Sequence, residues 1–153
     1  MTKAIENRGV TALLLGGRGI FSGVFLMATA FKFAGMESTA SYIATAGFPF
    51  PHALAWVAAF LELALAFCFA SGAYFRQASL LAAAYVIFLA FAFHGPAHWA
   101  KNQDEFGFFV DHFTFVAGLF FAAAHGPGRF AWTPGLFQRL PMLASATRLE
   151  RQD

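Results

Sequence analysis

Four stretches of the chain, 10–34, 51–72, 76–94 and 105–125, are long, apolar and nearly free of charge. An α-helix rises ~1.5 Å per residue, so about 20 such residues cross a hydrocarbon layer ~30 Å thick. Lipid offers the backbone no hydrogen bonds, which leaves only helices or closed barrels as spanning structures. The alternating pattern of barrel strands is absent. The expected fold is therefore all-α: a polytopic membrane protein built as an antiparallel four-transmembrane-helix bundle. Composition agrees, since 59% of residues are hydrophobic and mean hydropathy is +0.60, too apolar for a water-facing surface.

The stretches between spans carry stop signals. Pro51 suits the first turn of the second span. Gly72 stops it, Gly95-Pro96 ends the third, and Gly126-Pro-Gly-Arg129 ends the fourth. Residues 1–130 make one transmembrane domain, and 131–153 a short tail. Ala28-Thr29-Ala30 resembles a signal-peptide cleavage site, but Arg18 interrupts the apolar core such a peptide needs, so an uncleaved first span is expected. Lys3, Arg8, Arg76, Arg129, Arg139, Arg148 and Arg151 fall in the two tails and the second loop, whereas the first and third loops hold Lys101 alone. The positive-inside rule places both termini in the cytoplasm. A net charge of +2 explained by topology gives no support to nucleic-acid binding.

Only 12% of residues are charged, against about 25% in ordinary domains, yet Arg18, Lys32, Glu62 and Asp111 lie inside the apolar stretches. A charge at the bilayer centre costs roughly 2.5–3.5 kcal/mol on insertion scales, so such residues pair, face a bundle interior, or mark a site. Counting from the span edges puts Arg18 roughly 12 Å deep from one side and Glu62 roughly 16 Å from the other. They are expected to meet as a buried pair that either locks helix register or serves a site. Lys32 has two options: to reach Asp111 or to extend towards the headgroups.

Lys32, His94, Asp111 and His112 gather near the outer surface as a polar cluster suited to quinone binding or proton exchange. His94, His98 and His112 are also the candidate metal ligands, and His94 with His112 or His52 the candidate haem ligands. Proline between His94 and His98 breaks their common helical face. Cys68 has no second thiol for a disulfide or redox pair, and reads as packing. Gly19 and Gly23 form a GxxxG that lets helices approach closely, within the bundle or between two copies. Phe106, Phe108, Phe109, Phe113 and Phe115 read as core, as lipid-facing surface, or as the wall of a flat cofactor's pocket.

Arg18-Gly-Ile-Phe-Ser-Gly-Val-Phe-Leu-Met-Ala-Thr-Ala-Phe-Lys32 resembles the opening of the DoxX family, with Arg early in the first span and Lys near its end. The likeness continues through Tyr42–Pro51, acidic Glu62, basic Arg76, His94 and Gly126-Pro-Gly-Arg129, and covers roughly residues 10–130. Val110-Asp-His-Phe113 stands where family members often carry Lys-Asn, and Phe130-Ala-Trp132 where Ser-Leu-Asp often follows. The resemblance implies a multi-pass protein of the bacterial cytoplasmic membrane. Relatives include the small membrane subunit of thiosulfate:quinone oxidoreductase, and others serve as membrane partners of redox enzymes. Three readings follow. One is a membrane subunit that anchors a redox partner and helps bind quinone. Another is a structural accessory subunit of a larger complex, or a homo-oligomer. The third is a haem or metal protein using the outer histidines.

Overall fold

A computed structural model describes residues 2–100 and 102–132, with side chains from Arg8 onward. The tail expected over 131–153 lies outside the described residues except for Ala131 and Trp132. Among the described residues the elements are six helices: α1 (Thr2–Ala34), α2 (Met36–Thr45), α3 (Pro51–Ser71), α4 (Phe75–His94), α5 (Pro96–Trp99) and α6 (Asp104–His125). Four segments, Arg8–Ala34, Pro51–Ser71, Phe75–Trp99 and Asp104–His125, are long and apolar enough to cross a membrane. Each overlaps one of the four stretches expected, the third running on through α5 to Trp99.

Helix ends follow the local chemistry. Pro51 occupies the first turn of α3, where its missing N–H costs nothing. At the far end Gly72 adopts φ +76 and its N–H bonds the Cys68 carbonyl at 2.8 Å. Gly126 closes α6 with φ +83, a different ψ and a 2.9 Å bond to the Ala122 carbonyl.

The connection after α1 was expected to be a loop. It contains α2 instead, too short to span. Gly35 breaks the chain between the two helices, and Glu37 favours a helix start by lying in its first turn. Met36, Ala40 and Ile43 share one face at helical spacing, packed with Ala55, Phe48 and Phe93.

α1 lies along α3 and α4 along α6, while α3 meets α4 more sparingly. Small residues permit the close approaches: Ala55, Ala59 and Ala66 of α3 and Ala78, Ala82 and Ala90 of α4 are buried. α1 and α6 instead meet through large rings. Phe21 and Phe25 of α1 pack on Phe69 of α3 and Phe115 of α6, at 5.1–5.9 Å between ring centres. Gly118 makes room, since a Cβ there would lie 3.3 Å from the Phe21 ring. Outside, large apolar side chains such as Leu13, Phe31 and Phe121 are exposed, as a lipid-facing surface requires.

Two side-chain bonds set the register of α1 against α3. Ser22 Oγ donates to the Ala66 carbonyl at 3.0 Å, and Thr29 Oγ1 to the Ala59 carbonyl at 3.3 Å. This antiparallel register brings Arg18 level with Ala70 at the end of α3, about two turns away from Glu62.

Candidate functional site

The register overturns the expected Arg18–Glu62 pair. Both side chains are buried, but each has other partners. Arg18 Nε donates to the Phe69 carbonyl (3.1 Å) and Nη2 to that of Ala70 (2.6 Å). Nη1 donates to the carbonyls of Pro127 and Phe130. The first two are orphan acceptors at the end of α3, where the helix dipole favours a cation. The second two belong to the segment after α6. That segment folds back over α3, where the Trp132 N–H bonds the Ser71 carbonyl at 2.9 Å.

Glu62 is the centre of a different group. Lys32 Nζ lies 2.8 Å from Glu62 Oε2, and Tyr85 donates its hydroxyl to Glu62 Oε1 at 2.8 Å. Lys32 comes from α1, Glu62 from α3 and Tyr85 from α4, so one carboxylate ties three helices together. The Lys32 contact is electrostatic rather than a well-aligned hydrogen bond, and Oε2 has no hydrogen-bond donor among the described residues. Lys32 therefore reaches neither Asp111 nor the headgroups; its flexible stem turns into the bundle.

Lys32 and Tyr85 open onto a cavity of about 810 Å³ between the C-terminal end of α1, α2, α3 and α4. Its walls are mostly apolar, including Phe31, Ile43, Phe48, Leu54, Val57, Leu61, Phe88, Leu89 and Phe93. The aromatic lining thus comes from α1, α2, α4 and the residue stretch after α2. The Phe106–Phe115 group on α6 does not line it. Phe109 and Phe113 pack on Phe91 instead, and Phe106 on Trp99.

His94 and His112 complete the lining. His94 Nδ1 bonds Glu105 Oε2 at 2.6 Å, and the His112 ring stands 5.1 Å from the His94 ring. That spacing leaves no room for a macrocycle between them, so the pair does not fit bis-histidine haem. Asp111 is exposed on α6 with no ion-pair or hydrogen-bond partner among the described residues. His98 is exposed as well, and His52 lies 3.6 Å from Glu37. No group of three His, Cys, Asp or Glu side chains converges at metal distance among the described residues.

Gly19 and Gly23 do not pack within the bundle. Both are exposed on α1, and a Cβ at either would meet nothing within 4 Å. Sequence reasoning missed Tyr85 and Glu105. Tyr85 carried a signal, because it is the only hydroxyl or ionisable side chain between Ser79 and His94. Glu105 carried none, since an acid in the first turn of a helix needs no site to explain it.

No curated protein and no solved structure matches the chain. A family model does match it, over residues 13–95, a stretch that holds Arg18, Lys32, Glu62, Tyr85 and His94. That match covers more than half of the sequence, and the chain belongs to the DoxX family.

Proposed function

We propose that this protein is a membrane subunit that binds a quinone-type ligand in the cavity beside Lys32 and Tyr85 and serves a redox-enzyme partner. The observation that carries the reading is the cavity itself. At about 810 Å³ it falls in the size range of small-molecule pockets, mostly apolar with a few polar groups. Lys32 supplies a cationic hydrogen-bond donor for a carbonyl oxygen, and Glu62 holds that cation in place. Tyr85, which also lines the cavity, is held by the same carboxylate. His94 and His112, also in the lining, belong to the residue type suited to proton exchange. The Arg8, Arg76 and Arg129 end would face the cytoplasm of a bacterial cell, and the cavity end the outside.

Purification in mild detergent, followed by lipid extraction and mass spectrometry, tests this. The expected result is near one quinone per chain, lost in Ala58→Trp, which fills the cavity. Folded protein free of quinone, and indifferent to added quinone, rejects the reading.

A second reading is structural, favoured by the same triad: Lys32, Glu62 and Tyr85 join three helices and fix their register. It predicts that exchanging Lys32 and Glu62 together for methionines leaves partner activity intact.

A further inference from the structure

We propose that His94 and His112 form a binding site for one divalent transition-metal ion of the zinc or cobalt type at the cavity wall. Each imidazole is already oriented as metal-bound imidazoles are. His94 Nδ1 faces the Glu105 carboxylate at 2.6 Å, and His112 Nδ1 faces the Phe108 carbonyl at 2.6 Å. A backbone carbonyl only accepts, and a carboxylate is a natural acceptor, so Nδ1 is the donor in both rings and Nε2 is the position left for a metal. Neither Nε2 has a hydrogen-bond partner among the described residues. Metal-ligating histidines donate their other N–H to a carboxylate or backbone carbonyl in this way, which fixes the tautomer and raises ligand basicity.

The spacing fits too. Two imidazoles bound at ~2.0–2.1 Å to one tetrahedral ion hold their ring centres about 5 Å apart. Here the centres are 5.1 Å apart with the rings inclined by 42°. Imidazole suits zinc, copper and nickel. No third protein ligand joins them among the described residues, so the remaining coordination positions open to water or to an oxygen ligand in the cavity.

The site does not depend on the quinone reading, because it is tested with metal alone. Full-length protein in detergent, stripped with a chelator, is titrated with Co²⁺ and followed by its visible absorption. One ion per chain is expected. Glu105→Gln should weaken binding 10- to 100-fold, and His112→Gln at least tenfold, while His98→Gln and His52→Gln leave it unchanged. Absence of binding overturns the proposal, as does binding that survives His112→Gln or is lost in His98→Gln. A reading without variants covers the case in which these proteins fail to fold. Electron-spin-echo spectra of Cu²⁺-loaded wild type should show two coordinated imidazoles, and one or none overturns the proposal.

Discussion

Lys32 Nζ stands 2.8 Å from Glu62 Oε2, and this single contact ties the last turn of α1 to the middle of α3. Glu62 is almost completely buried, and its partners among the described residues are that cation and the Tyr85 hydroxyl. Removing one partner of a buried pair costs about 3–5 kcal/mol, because the other charge is left uncompensated. Lys32→Met should destabilise the protein by that amount. Lys32→Met combined with Glu62→Met should recover most of it, since a well-packed apolar pair replaces an ion pair at little net cost. Unfolding in detergent reads both. A double variant no better than the single one would show that Lys32 does not compensate Glu62.

Tyr85→Phe removes a hydrogen bond to a charged acceptor and leaves the ring in place. Such bonds contribute about 1.5–3 kcal/mol. The variant should lose stability within that range, with the helix content unchanged by circular dichroism.

Gly72 and the pair Gly19 and Gly23 should respond in opposite ways. At Gly72 φ is +76, and an added Cβ would lie 2.8 Å from the Ala131 Cβ and 3.0 Å from Arg18 Nη2. Gly72→Val should lower the melting temperature and expose residues 126–132 to protease. Gly19→Ala and Gly23→Ala meet nothing within 4 Å and should stabilise α1 by about 0.5–1 kcal/mol each through helix propensity. A loss instead would mean that another helix covers that face.

Tyr42, on α2 outside the spans, is held above its ordinary ionisation range by burial first and then by the Glu105 carboxylate. A phenol that ionises later in the folded than in the unfolded chain adds stability below about pH 10. That contribution is lost as pH rises through the folded value. Ultraviolet titration should show Tyr42 ionising late, and Glu105→Gln should bring it down.

Hydropathy was enough to read the spans and their ends, because length and punctuation are one-dimensional properties. Pairing was not legible in the same way. Counting residues from a span edge placed Arg18 and Glu62 at one level, but the true register is set by Ser22 with Ala66 and Thr29 with Ala59. Neither hydroxyl stands out in sequence from any other small polar residue. The direction of a long side chain was equally hidden: Lys32 turns inward to Glu62, although an outward turn satisfies the same sequence. The cavity depends on α2, and α2 forms because Met36, Ala40 and Ile43 find α3 to pack on. Its sequence alone is a short, mixed connection.

The acceptors of Arg18 bear on the order in which the protein can be completed. A chain is made from its N-terminus, and Arg18 belongs to the first helix to emerge. Phe69 and Ala70 follow some fifty residues later, and Pro127 and Phe130 only after the fourth span. For most of synthesis this guanidinium lacks its final partners. A chain cut short before residue 127 keeps an under-solvated cation in the bilayer and a bundle that is not latched. Arg18 thus distinguishes a finished molecule from an unfinished one, a difference that membrane quality control can act upon.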